Sequence, residues 1–176
     1  KRLLTLHGHE VVVTREPGGT EIAEIIREQL LNKKHQERMS DVTELLLVFA
    51  ARAQHIESFI KPALERGCWV LCDRFTDSTI AYQGFGRGLQ LELIEQLKVI
   101  AQQGIQPNKT FLLDAPIDVG MSRARTRGPA DRFEEEQYAF FADVRQHYLA
   151  RAKAHAYRVR TIDGSQTIDA VEQSIH

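Results

Sequence analysis

The chain has 176 residues, with 23 lysines and arginines against 24 aspartates and glutamates, for a net charge of −1. That length suits one domain able to bury about two-thirds of its unfolded surface, and the charge balance gives no overall attraction to nucleic acid or to an anionic membrane. No stretch reaches the roughly 20 apolar residues of a membrane span and no cleavable signal pattern opens the sequence; with Cys68 and Cys72 as the two cysteines, reduced buried thiols, no metal site for want of further ligands, and a cytoplasmic location are expected.

Residues 1–7 read as the end of a helix stopped by Gly8, so the chain is expected to start inside an element. A strand at 11–14 leads into Thr14-Arg15-Glu16-Pro17-Gly18-Gly19-Thr20. Here Pro17 fixes a backbone angle and the glycines allow close approach of a ligand, although Pro-Gly-Gly alone also fits an ordinary tight turn. A helix follows over about 21–31 and a polar connection over 32–40. The next helix is expected across 41–65, capped by Ser40, stopped by Gly67, and kinked or split at Pro62; its middle, 45–53, is nearly all apolar.

A strand at 69–72 ends in the polar run beginning Asp73-Arg74, and a helix covers about 91–101 before Gly104. A strand at 110–113 ends at Asp114, and a helix beyond Pro116 runs to about Arg127, where Gly128-Pro129 interrupts it. A charged loop separates it from a helix over about 134–154, then come a strand at 157–162, a turn at 163–166 and a final helix. The alternation predicts an α/β fold, a parallel β-sheet surrounded by helices.

Three constellations point to phosphate and base recognition. Asp73, at the carboxyl end of a strand, suits a hydrated magnesium ion, and Arg74 a phosphate; a helix cap and a surface ion pair explain the same residues. Arginines 123, 125, 127 and 132 crowd one helix end and the following loop, with Arg123 and Arg127 on one face, where like charges repel by about 0.2–0.5 kcal/mol. They fit a phosphate-gripping lid, or equally a solvated face partly neutralised by Asp131, Glu134 and Glu135. Phe49 and Arg52, three apart, offer an aromatic face and a forked donor to a flat base, or else core packing and a salt bridge.

Other chemistries lack support. The glycine-rich run at 83–88 has no terminal Lys-Ser or Lys-Thr, so it is not a phosphate-cradling loop. The seven histidines form no pair at zinc spacing and no hydrolytic triad is indicated. Aromatics are not interleaved with a basic surface as in a nucleic-acid platform.

Taken in order, Thr-Arg-Glu-Pro-Gly-Gly-Thr at 14–20, Phe-Ala-Ala-Arg at 49–52, Asp-Arg-Phe at 73–75, Ala-Tyr-Gln-Gly at 81–84 and Arg-Ala-Arg-Thr-Arg-Gly at 123–128 resemble the bacterial thymidylate kinase family. The resemblance spans nearly the whole chain, from Gly8 to the last helix. It implies a P-loop NTPase fold of the nucleoside monophosphate kinase kind, one kinase domain over 1–176 with a basic lid at about 127–134. The implied reaction moves the γ-phosphoryl group of ATP to thymidine monophosphate (dTMP), giving dTDP, with Mg2+.

By this resemblance Phe49 would stack on thymine and Arg52 would bond its carbonyl edge. Thr79 and Gln83 would help read the base, and Tyr82 would sit under the sugar and disfavour a 2′-hydroxyl. Arg27 and Arg74 would hold the acceptor phosphate, with Glu16 and Pro17 bordering that pocket and Asp73 reaching magnesium through water. Arg127 and Arg132 would close over the donor phosphates, the lid supplying the basic catalytic group, while Arg123, Ser165 and Gln166 would border adenine. In many relatives the stacking Phe lies four residues before the Arg, where this chain has Val48.

The family's phosphate-binding loop would lie upstream of residue 1, so these residues alone are expected to bind ATP poorly and turn over little. The resemblance also implies a homodimer, for which the apolar middle of the long helix could supply an interface. Two rivals remain at this point. One is a deoxynucleoside kinase of the same fold, which needs a base for the 5′-hydroxyl proton; the other is a noncatalytic nucleotide-binding module.

Overall fold

In the computed structural model, residues 1–33, 35–126 and 131–175 are described, Arg125 by its backbone alone. Helix α1 (Arg2–Leu6) ends where Gly8, at φ +81°, donates its N–H to the Thr5 carbonyl. Strand β1 (Val11–Arg15) then pairs in parallel with β2 (Trp69–Asp73), Val11 opposite Trp69 and Arg15 opposite Asp73. Strand β3 (Thr110–Asp114) pairs in parallel with β4 (Val159–Asp163), bringing Asp114 opposite Asp163. Parallel partners need long crossovers, which helices supply on the sheet faces. Each pair gathers its polar end residues at one carboxyl edge; the pairing is parallel as the alternating pattern predicts, but the described strands form two separate two-stranded sheets in place of the single sheet expected.

Helix α2 (Glu21–Leu31) starts where the Thr20 side chain accepts from the Ala23 N–H, and α3 (Asp41–His55) where Ser40 Oγ accepts from the Thr43 N–H at 3.1 Å. Past His55 the structure departs from the single α-helix expected over 41–65. A π-helical turn at Ile56–Ile60 intervenes before α4 (Lys61–Glu65), and the Lys61 N–H donates to the Ile56 carbonyl five residues back. Pro62 has no N–H to give to the preceding turn, and the wider turn accommodates that loss without ending the helical path.

Beyond β2 come α5 (Thr76–Thr79), a second π-helical stretch at Ile80–Gly86, and α6 (Leu91–Gln102). Helices α7 (Ile117–Arg125), α8 (Tyr138–Ala154) and α9 (Ile168–Ile175) complete the described elements. Two expected boundaries shift. Helix α8 begins at 138 and not 134, because the Asp131 carboxylate accepts from the N–H groups of Phe133 and Glu134, both at 2.9 Å, and holds a turn there. Strand β4 begins at 159 and not 157, since Arg158 and Val159 both donate to the His155 carbonyl.

Helix α3 is the central support. Its Leu45 and Phe49 pack with Ile80, Ile94 and Ala101, and the following turn carries Ile56 and Ile60 onto Phe75. Both strand-end junctions are thereby fixed against one helix. Among the described residues no helix is long and apolar enough to cross a membrane.

Candidate active site

The loop after β1 is pressed onto α3. Gly19, at φ +88°, leaves so little room that a Cβ there would lie 2.5 Å from both His55 Nε2 and Thr14 Oγ1. Its N–H donates to Glu24 Oε1 at 2.7 Å, and Glu24 also pairs with Arg15 at 2.8 Å. This close packing aims Glu16 inward, where Oε2 accepts from Arg52 Nε at 2.7 Å and Oε1 lies 3.1 Å from His55 Nδ1. His55 Nε2 in turn meets Thr14 Oγ1 at 2.7 Å.

Arg52 is locked on every side but one. Its Nη2 donates to Thr79 Oγ1 at 2.9 Å, and its guanidinium carbon lies 4.9 Å from the Phe49 ring centre and 5.0 Å from that of Phe75. Nη1 is the buried side-chain polar atom left without a partner among the described residues. Leaving a donor so placed costs about 1–3 kcal/mol, which a ligand oxygen would relieve. Phe49 itself is buried in the core beneath Arg52.

A second group is cationic. Arg27 Nη1 donates to the Pro17 carbonyl at 2.9 Å, and its guanidinium is held below its ordinary pKa by burial first and by Arg15 and Arg74 after it. Arg74 stands at φ +69°, a backbone region uncommon for a side-chain-bearing residue, with its guanidinium 5.1 Å from the Tyr82 ring centre. Burial opposes the Arg74 charge, but Tyr82, Tyr148 and Asp73 favour it and the balance is upward. Arg27 thus lies among two further cations, Arg15 and Arg74, with Glu24 and Asp131 offsetting part of their charge. Beside them Asp73 is exposed, and its carboxylate accepts no hydrogen bond from the described residues.

Thr79 and Gln83, four apart and both buried, line the facing helical stretch. Gln83 Nε2 donates to Glu44 Oε1 at 2.7 Å. Glu44 also accepts from Arg87, at 3.3 Å to Oε1 and 3.2 Å to Oε2, and from Arg132 Nη2 at 2.6 Å. Arg132 is further held by the Leu30 carbonyl at 2.8 Å. Tyr82 is edge-on to Phe133 and Phe140, both at 5.9 Å, and to Tyr148 at 6.4 Å. Burial pushes the Tyr148 phenol up to about 12 while it donates to Ser78 Oγ at 2.6 Å.

At the other strand pair, Arg123 donates to the carbonyls of Gly164 and Ser165, at 2.6 and 3.1 Å. Asp163 accepts from Ser165 Oγ and Gln166 Nε2, at 2.6 and 2.9 Å, so Arg123, Ser165 and Gln166 form one group. Arg132 is not in that group; it sits with Glu44. Arg127 lies outside the described residues, as does the segment 127–130 of the expected lid.

Sequence reasoning did not single out Glu44, His55, Arg87 or Tyr148. Glu44 left a signal: it lies eight residues before Arg52, on the same stripe of α3, at the edge of an apolar run. The expectation that Cys72 lacks companions for a metal also needs correction. One ligand atom each of Glu16, His55 and Cys72 lie within 4.8 Å of one another, brought from three elements that no local spacing connects. Burial, followed by Glu16, pushes the Cys72 thiol up, and Cys72 is partly buried where Cys68 is fully so.

Arginines gathered at the carboxyl ends of parallel strands, around a buried forked donor with one free arm, define a nucleotide-handling α/β protein. A sequence model of the family described as thymidylate kinase matches residues 1–175. A thymidylate kinase of Pseudomonas putida (strain GB-1) is 53% identical over 169 residues, which cover 96% of this chain and 80% of that protein. One of Alcanivorax borkumensis is 54% identical over 172 residues, 98% of this chain and 82% of the relative. The crystal structure of a thymidylate kinase from Ehrlichia chaffeensis superimposes with a TM-score of 0.76 at 32% identity, covering 99% of this chain and 84% of that one. The chain belongs to the thymidylate kinase family, and its fold is the α/β, P-loop NTPase-like one.

Proposed function

We propose that this chain transfers the γ-phosphoryl group of ATP to dTMP, giving dTDP. The observation that carries the reading is Arg52 Nη1, a buried donor beside Thr79 that has no partner among the described residues. A pyrimidine carbonyl supplies the missing acceptor, and a 5′-phosphate supplies an anion to the corner where Arg27 meets Arg15 and Arg74. That demand for a phosphorylated acceptor favours the monophosphate kinase over a deoxynucleoside kinase.

In this reading Arg27 and Arg74 hold the acceptor phosphate, Glu16 and Pro17 wall its pocket, and Glu16 anchors Arg52. Thr79 and Gln83 read the base edge, Phe49 underlies it, and Tyr82 supports the sugar and leaves no partner for a 2′-hydroxyl. Arg123, Ser165 and Gln166 border the donor nucleotide, and Arg127 and Arg132 engage its phosphates, Arg132 on leaving Glu44 and the Leu30 carbonyl, with Arg87 still bonded to Glu44. Such a site works by positioning and charge neutralisation, with no covalent enzyme intermediate. Asp73, an exposed carboxylate at a strand end that accepts no hydrogen bond from the described residues, fits a hydrated Mg2+ as an outer anchor. When bound, the ion neutralises charge on the transferring phosphates.

Residues 1–176 act as one kinase domain. Exposed Val42 and Leu46 on α3 support a homodimer through that helix, and the free thiols of Cys68 and Cys72 support a cytoplasmic setting. The test is coupled ADP release by the full-length protein with ATP and magnesium, offering dTMP, its uracil analogue and thymidine. Strong preference for dTMP is expected. Activity on thymidine alone, or none with any acceptor, overturns the reading.

A further inference from the structure

Glu44 is a carboxylate with 1% exposure in a helix whose other inward residues are mostly apolar, and base reading by Arg52, Thr79 and Gln83 does not by itself call for it. Along α3, Glu44, Val48 and Arg52 form one stripe at intervals of four, and Thr79 and Gln83 form the facing stripe. Two rungs join them. Arg52 donates to Thr79 at one end, and Gln83 donates to Glu44 at the other.

The second rung has a directional consequence. An ionised carboxylate only accepts hydrogen bonds, so the Gln83 amide must turn its NH2 group to Glu44 and its oxygen the other way. Arg87 and Arg132, both bonded to Glu44, set two positive charges against its buried carboxylate. The Gln83 amide oxygen accepts no hydrogen bond from the described residues. Among the described residues, Arg52 Nη1 is then a donor without a partner and Gln83 Oε1 an acceptor without one, on facing stripes.

We propose that Glu44 is a positioning residue that sets the base selectivity of this site, by holding Gln83 in the orientation that accepts from an imide N–H. The inference rests on the proposed reaction. A 4-keto pyrimidine offers a carbonyl oxygen to Arg52 and its ring N3–H to Gln83. A 4-amino pyrimidine reverses both groups, presenting an amine to Arg52 and a bare ring nitrogen to Gln83 Oε1. Both contacts then become repulsive, and no rotation of Gln83 relieves them while Glu44 holds its amine.

The test is the ratio of kcat/KM for dTMP to that for dCMP, measured on the full-length protein. Glu44→Gln allows the Gln83 amide to turn over, and the ratio is expected to fall by roughly tenfold or more, with dTMP losing and dCMP losing less or gaining. A purely structural role lowers both substrates together and leaves the ratio unchanged, which overturns the proposal. Gln83→Met covers the case in which the Glu44 variant does not fold: it removes the amide at similar volume, and an undiminished preference for dTMP also overturns the proposal. In the Gln83→Met background, adding Glu44→Gln is expected to leave the ratio where it stands; a further large fall counts against coupling through Gln83. Absence of dTMP-dependent ADP formation by the unaltered protein refutes the reaction itself and is distinct from an unchanged ratio in an active enzyme.

Discussion

Arg52 and Glu16 form an ion pair of 2.7 Å in which the two side chains are 2% and 3% exposed. Neither charge can be removed alone without stranding the other. Arg52→Met is expected to cost about 3–5 kcal/mol, read as a lower urea midpoint. Arg52→Lys keeps the charge but loses the fork that reaches Glu16 and Thr79 together, so kcat/KM for dTMP is expected to fall by about tenfold or more while the fold persists. Wild-type kinetics in the Lys variant would remove Arg52 from the site.

Gly19→Ala combines a positive φ with a Cβ only 2.5 Å from the His55 ring and Thr14 Oγ1. Overpacking of this kind costs about 1–3 kcal/mol and here also displaces the hydrogen bonds that orient Glu16. Gly8→Ala is the control, for its Cβ meets nothing within 4 Å at φ +81°. Thermal melting is expected to show a larger loss at Gly19 than at Gly8, accompanied by a raised KM for dTMP.

Asp77 carries a pH signature. Burial works to raise its carboxyl pKa, yet hydrogen bonds from Arg158 and Arg151 outweigh it and hold the group at about 2, against 3.8 for the ordinary residue. A depressed folded-state pKa contributes stability that is present above the unfolded value and is lost as pH falls through the folded one. About 2 kcal/mol should therefore disappear between about pH 4 and pH 2. Asp77→Asn is expected to be less stable at neutral pH and to show a shallower loss across that window. Denaturant titrations at several pH values check it, and equal slopes in the two proteins refute it.

Arg27 has its pKa lowered by burial, Arg15 and Arg74, an arrangement that an anion relieves. Arg27→Gln is expected to raise KM for dTMP by about 10- to 100-fold, the worth of one charge-assisted hydrogen bond. Added salt should then weaken dTMP binding less than it does in the unaltered enzyme. An unchanged KM would mean that the phosphate lies elsewhere.

The order of the main helices and strands, the Ser40 cap and the stop at Gly8 were readable from sequence because each depends on a few neighbouring residues. The same locality explains the misses. The Asp131 turn competes with helix formation by side-chain hydrogen bonds, which periodicity does not register, and the π-helical turn before Pro62 is a compromise between a proline and a helix already packed on both sides. For Arg52 the sequence left base recognition and a salt bridge as alternatives. In the fold it makes the salt bridge and still keeps one arm free.

By itself, then, the sequence determined a parallel α/β chain and the motifs that resemble one family, since hydrophobic period, caps and ordered motifs are carried along the chain. Only tertiary structure decided which charges meet. Glu44 reaches Gln83 across 39 residues and Arg132 across 88, and Glu16 meets His55 across 39. Those partnerships come from packing α3 against two strand ends at once, where burial forces every charged group to find a partner or to wait for one.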